Sequence, residues 1–287
     1  MEIYYENTEG VRLNLLSETI AIQDIETLFN NEWDYSSATS MIFGGKVKKF
    51  YKGVQEKDFT ISIVADNERE FTDLCKEIEE TIFFDVQVKQ PGRLFVNDTY
   101  LSCYIFSSQY EEYEDLFYIT DRKFKLVTEY PNWVAERNYT VNRNVSLINA
   151  VAGLMVTGSG VLNSGTDPDG DLSEETVKAY VKNPLRVPCN FKAKINGPSE
   201  WPYLKIGENI YNIDEEIPEG SYIIIDSIKK TCIMYDSSGN AFNVFGYRNP
   251  NYYIFEKIQP GINNVEWNEK TAVEFTIYEE RGEPLWS

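Results

Sequence analysis

The sequence predicts a mainly β protein with a single helix, arranged as two successive domains, and three observations predict it. Period-two alternation recurs along the chain, as where Phe59, Ile61 and Ile63 alternate with Thr60 and Ser62, the pattern of a strand with one buried face. Aromatic residues make up 14% of the chain, with 20 Tyr, and flat rings suit the pleated, half-buried surface of a sheet. At 287 residues the chain can bury two cores of ordinary size.

Taken in order, Thr39 to Phe43 and Lys46 to Tyr51, with Gly44 and Gly45 between them, predict a hairpin, and Phe59 to Ala65 a strand. Lys46, Lys48, Lys49 and Lys52 read as one strand's solvent face. The period then changes. Phe71, Leu74, Cys75 and Ile78 recur at i, i+3, i+4 and i+7, Asn67 with Glu70 can form a capping box, and Glu68, Glu70 and Asp73 favour a helix amino end. A helix from Asn67 to Phe83 follows. Strands are predicted at Asp85 to Lys89, Arg93 to Val96, Tyr100 to Ser107 and Phe117 to Glu129; in the last, Phe124 and Leu126 face away from Lys123 and Lys125. The acidic run from Tyr110 to Leu116 reads as a loop, with Tyr110 and Tyr113 either touching a neighbouring subunit or sitting on a solvated tip. Pro131 lacks the backbone N–H that a ladder needs, so the strand before it stops at the Tyr130-Pro-Asn-Trp133 turn.

Between Asn142 and Pro184 five glycines stand among Ser, Asn and Asp, and this stretch reads as linker with an extended loop or short helical arm. Ser173 is a good N-cap for one helical turn there. A second domain starts near Leu185. Val187, Cys189, Phe191 and Ala193 alternate with polar residues, and further strands are expected at Tyr203 to Ile206, Ile223 to Ile225, Thr231 to Tyr235, Ala241 to Phe245 and Thr271 to Tyr278. About seven short strands with Gly, Pro, Asn and Asp turns between them argue for a β-sandwich.

Little chemistry is marked. The chain has no His, which removes Ser-His-Asp and Cys-His catalysis and the commonest metal ligand. Cys75, Cys103, Cys189 and Cys232 lack zinc-site spacing and read as small buried hydrophobes in a reducing compartment. Asp167-Pro-Asp-Gly-Asp171 starts like a calcium loop, but Leu172 and Lys178 stand where an EF-hand needs Gly and a bidentate Glu. No catalytic, cofactor or metal residue is therefore expected. A net charge of −19 opposes specific nucleic-acid binding. The longest apolar stretch, Leu147 to Val156, is interrupted by Asn149 and Gly153 and is too short to span a membrane, and the amino terminus lacks a signal-peptide pattern. The sequons at Asn97, Asn138 and Asn144 read as chance. Trp133, Trp201, Trp267 and Trp286, with Tyr203, can stack sugar rings or pack in cores and interfaces.

Several motifs carry a family resemblance. The run Ile217 to Asp226, the strand Thr231 to Tyr235, the turn Asp236-Ser-Ser-Gly-Asn240 and the segment Gln259-Pro-Gly-Ile-Asn-Asn-Val-Glu-Trp267 resemble the carboxy-terminal half of distal tail proteins, the ring-forming hubs of long, non-contractile phage tails. Gly197-Pro198 followed by Pro202-Tyr-Leu204-Lys-Ile206-Gly207, and Pro131-Asn-Trp133 at the close of the first half, are similar to the same family in the same order. The resemblance implies a ring-forming, split-barrel-like β domain over 1–134, a linker or extended arm over 135–184 that is partly an insertion, and a galectin-like β-sandwich over 185–287. It implies a structural, non-enzymatic role as a homohexameric hub joining a tail tube protein to tail-tip and receptor-binding proteins. The place would be the virion tail, assembled in the bacterial host cytoplasm, and an acidic channel would let DNA pass. Trp133, Trp201, Tyr203, Tyr110 and Tyr113 are the candidate interface or glycan-facing residues. The rival reading is a carbohydrate-binding adhesin module that forms no ring.

Overall fold

The computed structural model describes residues 1–40, 44–114, 118–141, 179–268 and 271–285. The chain divides into two compact units, Met1–Ala135 with Glu280–Ser287, and Glu136–Glu279. The calcium-like run Asp167 to Asp171, the Ser173 turn, Asn144 and Trp286 lie outside the described residues.

The first unit contains β1 (Ile3–Glu6), β2 (Arg12–Asn14), β3 (Ile20–Gln23), a 3₁₀ turn (Ile25–Phe29), β4 (Asp34–Ser40), β5 (Gly44–Tyr51), β6 (Gln55–Val64), α1 (Glu68–Val88), β7 (Gly92–Val96), β8 (Thr99–Glu114), β9 (Ile119–Thr128) and the start of β10 (Trp133–Val141). The expected mainly β fold is present, with one α-helix among the described residues. All pairings are antiparallel. One sheet runs β2-β1-β7-β8 with the first residues of β10 beyond β8, and another runs β3-β6-β9-β8. β8 belongs to both: Thr99 to Cys103 pair with β7, and Tyr104 to Glu114 pair with β9. Register shifts at Ile105/Ser107 and Tyr110/Glu112 supply bends, because an extra residue on one strand increases local twist. The core between the sheets takes Ile3 and Tyr5 of β1, Phe59, Ile61 and Ile63 of β6, Phe124 and Leu126 of β9, and Ile78 and Ile82 of α1.

The structure corrects three local expectations here. The helix runs on to Val88, so the strand expected at Asp85 to Lys89 is its last turn. Phe84, Val86 and Val88 imitate period two, but Ile78, Ile82 and Asp85 continue the buried helical stripe, and the chain leaves the helix through left-handed Lys89, two residues before Pro91. The expected capping box forms, with Asn67 Oδ1 accepting from the Glu70 N–H at 3.0 Å and Glu70 Oε2 accepting from the Asp66 N–H at 2.9 Å, one residue before the cap. The loop expected from Tyr110 is strand as far as Glu114. Gly44 and Gly45 lie inside β5 and not between the hairpin strands.

Asp85 fastens α1 to the sheet. Its fully buried carboxylate accepts from Tyr5 Oη at 2.6 Å, the Thr8 N–H at 2.9 Å and Thr8 Oγ1 at 2.7 Å. Burial, above all, raises the Tyr5 pKa, so the phenol stays a donor. A Cβ on Gly92 would stand 2.3 Å from both Asp85 Oδ2 and Tyr5 Oη, so only glycine fits under this bond. The carboxy end of the chain also lies in this unit: Asn97 Nδ2 donates to the Leu285 carbonyl at 3.0 Å.

The second unit contains the rest of β10, then β11 (Ala179–Asn183), β12 (Asn190–Asn196), β13 (Leu204–Ile206), β14 (Asn209–Ile210), β15 (Tyr222–Asp226), β16 (Thr231–Tyr235), β17 (Ala241–Asn243), β18 (Gly261–Trp267) and β19 (Val273–Arg281), whose last residues rejoin the first unit. One sheet is ordered β17-β16-β15-β12-β19-β10 and the other β11-β18-β13-β14. Both contribute to one core: Phe191, Ile195, Ile225 and Phe275 from the first, Val181, Leu204 and Val265 from the second. β11 occupies the last part of the stretch read as linker. β12 starts at Asn190 and not at Val187, which is exposed and precedes Pro188. β17 stops at Asn243 because its Oδ1 accepts the Phe245 N–H at 3.0 Å and turns the chain into a 3₁₀ helix over Phe245–Tyr247. The Gly-x-Asn-x-Val-x-Trp segment is β18. Asn263 Nδ2 donates to the carbonyls of Gln259 at 2.8 Å and Gly261 at 3.2 Å, pinning the turn that enters it.

Asp85→Ala is expected to lower stability by about 2–4 kcal/mol, since it leaves Tyr5 and Thr8 donors buried without an acceptor; urea unfolding of the two proteins measures this.

Candidate functional site

Residues 33–40 and 44–54 form the most unusual surface among those described. β4 and β5 pair with each other and, among the described residues, join no other strand. A two-stranded ribbon alone is marginal in water, because neither its faces nor its outer backbone groups are covered. Every residue of β5 is exposed. Trp33 is 56% exposed, Tyr35 61% and Phe50 60%, with Val47, Tyr51 and Val54 also open to solvent. Tyr35 and Phe50 are opposite each other in register, their ring centroids 6.4 Å apart. Contiguous exposed apolar surface of this kind marks an interaction site.

The root of the hairpin is held firmly. Lys52 Nζ donates to the Pro131 carbonyl at 3.0 Å and to Asn132 Oδ1 at 2.8 Å, and lies 5.0 Å from the centre of the Trp33 ring. Its burial lowers the lysine pKa. Gln55 Nε2 donates to the Glu32 carbonyl at 3.0 Å, and Lys57 Nζ donates to the Asn30 carbonyl. Lys46, Lys48 and Lys49 stand further out on β5. These three are exposed on one strand, as expected, whereas Lys52 is half-buried at the root.

Of the five candidate residues from the sequence, Trp133, Tyr110 and Tyr113 lie in the first unit and Trp201 and Tyr203 in the second. Trp133 is 1% exposed and packs against Phe29 in the first core, so it faces neither solvent nor a glycan. Tyr110 is half exposed on β8, its ring 4.7 Å from the Arg122 guanidinium. Tyr113 is a strand residue paired with Thr120. In the second unit, Trp201 is 68% exposed just before β13 and Tyr203 is half-buried, and both are tied to Asn268: the Trp201 carbonyl accepts Asn268 Nδ2 at 3.4 Å and the Tyr203 carbonyl accepts its N–H at 3.2 Å. Trp267 packs against the second core, and its buried indole N–H has no partner among the described residues. Sequence reading missed Trp33, Tyr35, Phe50 and Tyr51. Trp33 and Tyr35 precede the arm expected from Thr39, because the first strand of the hairpin starts at Asp34, so the available signal was Phe50 and Tyr51 beside the lysines of the second arm.

Arg122 is the unusual buried charge. It is 1% exposed, and Nη2 donates to Glu79 Oε1 of α1 at 3.2 Å and to Ser108 Oγ at 2.9 Å, beneath the Tyr110 ring. Nε and Nη1 have no partner among the described residues. The arrangement ties α1 to the β8-β9 hairpin. No group of His, Cys, Asp or Glu able to hold a metal ion is found among the described residues, and no described helix is long and apolar enough to cross a membrane.

A chain of the phage P2 baseplate in its activated conformation with Ca matches with a TM-score of 0.62 at 13% identity, covering 99% of each chain. The same baseplate with Sr matches at 0.59 and 14% identity, again over 99% of both. The SPP1 Dit protein, described as a hub of the adsorption apparatus in phages infecting Gram-positive bacteria, matches at 0.56 and 9% identity, over 97% of this chain and 98% of that one. No family model matches the sequence, and no curated protein matches it significantly. The chain thus has a Dit-like fold over nearly its whole length.

Two outcomes are expected from these placements. Trp133→Ala should cost about 3–5 kcal/mol, while Trp201→Ala should stay within about 0.5 kcal/mol of the parent, as read by denaturant unfolding. Burial pushes the Cys103 and Cys232 thiols up to about 12, so both stay neutral and unreactive at pH 8. Alkylation of the native protein at that pH, followed by mass spectrometry, should leave these two unlabelled until the protein is unfolded.

Proposed function

We propose that this protein is a structural component of a phage tail, a distal tail hub whose copies assemble into a six-membered ring. The observation that carries the reading is a free, aromatic-rich hairpin on a chain whose fold follows hub and baseplate chains from end to end. A ribbon with two open edges gains most by being covered, and in a ring of identical subunits each copy can cover its neighbour's ribbon through a head-to-tail interface that closes on itself. The ring joins a tail tube protein on one side to tail-tip or tail-associated and receptor-binding proteins on the other. The role is architectural and not enzymatic, in the virion tail after assembly in the host cytoplasm.

Light scattering on the purified protein is expected to give six times the protomer mass, or a concentration-dependent rise towards it. A strict monomer, alone and with a tail tube protein added, overturns the reading. One observation favours a second: Trp201 is open beside Tyr203, as a sugar-stacking residue would be. Glycan-array binding by a monomeric protein that is lost in Trp201→Ala would support the adhesin reading instead.

A further inference from the structure

In a strongly acidic chain, one concave site of the second unit is lined by hydrogen-bond donors and by no carboxylate. Where β16 begins and β17 ends, a pocket of about 280 Å³ has Lys230, Thr231, Ile233, Ala241, Asn243 and Phe245 in its lining. Ile233 and Asn243 are opposite each other in register, and Thr231 shares their face of the sheet, while Cys232 and Val244 alternate with them and enter the core. The pocket is at the small end of ligand sites, with room for one ring and one charged group.

Each polar group in the lining is left with a proton to give. Lys230 is exposed and makes no ion pair among the described residues; its ammonium lies 5.4 Å from the ring centres of Tyr253 and Phe255. Asp226, the acid of the same turn, is buried and accepts the Ile228 and Lys229 N–H groups, both at 2.9 Å. Asn243 gives its Oδ1 to the Phe245 N–H at 3.0 Å, so its amide NH2 is the end left for a ligand. The Thr231 hydroxyl completes the set. The apolar wall is fixed as well. Phe245 stacks on buried Phe255, ring centres 5.5 Å apart and planes 4° from parallel, and the Arg248 guanidinium lies 3.8 Å from the centre of the Phe245 ring. Arg248 also has no ion pair among the described residues, so two cations without carboxylate partners flank this wall.

We propose that this pocket binds an anionic monosaccharide unit, a sugar ring that carries a phosphate or a carboxylate. The anion pairs with Lys230, ring hydroxyls accept from Thr231 and Asn243, and the C–H face of the ring lies on Phe245 and Ile233. A ligand without acceptors would leave the three donors unpaired, and a bare anion would leave the apolar wall uncovered. The pocket is on the sheet that contains β16 and β17, whereas Trp201 precedes β13 of the other sheet, so this site is separate from the Trp201 surface. It does not require that copies of the chain assemble.

The test uses the full-length protein, with glucose 6-phosphate and glucuronate as probes that separate a phosphate from a carboxylate, and with glucose and inorganic phosphate as controls. Saturation-transfer NMR and calorimetry are expected to show at least one anionic sugar binding about tenfold or more tightly than either control, and less tightly as salt is raised. Lys230→Gln should weaken that binding about tenfold or more and Thr231→Val about threefold or more, while Lys230→Arg and Trp201→Ala retain it. Lys230 is exposed and valine has nearly the shape of threonine, so thermal unfolding of these variants should match the parent. No binding of either anionic sugar up to about 10 mM, equal affinity for glucose or for inorganic phosphate, or binding that Lys230→Gln leaves intact would each overturn the inference. None of these outcomes touches the hub proposal, which light scattering tests by itself.

Discussion

Backbone pairing along β8 is the constraint on which the first unit depends. Its first five residues complete the sheet with β7, and its remainder completes the other sheet with β9, so one strand obliges two sheets to close over a common core. The register shifts at Ile105/Ser107 and Tyr110/Glu112 make this possible, because a bulge bends a strand without breaking its pairing. Once β3, β6, β9 and β8 are paired in that order, β4 and β5 join neither sheet. The exposed hairpin is in this sense a product of how the rest of the unit closes.

The helix is placed by polar anchors as much as by apolar ones. Ile78 and Ile82 supply burial, but a smooth apolar stripe would let the helix slide or rotate. Asp85 and the Arg122–Glu79 contact remove that freedom, since a buried charge displaced from its partners loses far more than a displaced methyl group. Asp85 sits in the last turn, where the helix dipole disfavours a carboxylate, and three donors from Tyr5 and Thr8 offset that cost.

Much of the fold was legible because it rests on local rules. Phe59, Ile61 and Ile63 alternate and are buried together; Asn67 and Glu70 cap the helix they were expected to cap; Thr231 to Tyr235 is a strand over those same residues. Misreadings arose where two periods fitted one segment. Phe84, Val86 and Val88 satisfy alternation as well as a helix, and only the contact of Asp85 with Tyr5 decides between them. From Tyr110 on, acidic composition suggested a loop, but pairing with β9 overrides composition as far as Glu114. The interaction surface was the least legible part. A tryptophan has the same letter in a core as on a surface, so Trp133 and Trp201 looked equivalent, and the exposed Trp33 drew no notice beside them.

By itself the sequence determined the fold class, the single helix and its cap, the absence of histidine chemistry, and short motifs resembling those of distal tail proteins, because each depends on residue type or on spacing within a few residues. Tertiary structure alone decided which aromatic rings are buried, that the chain leaves the first unit through β10 and returns to it through β19, and that the hairpin joins no other strand among the described residues. The reason is physical. Burial and edge pairing depend on what arrives from far along the chain, and no local pattern records whether a strand's neighbour will come.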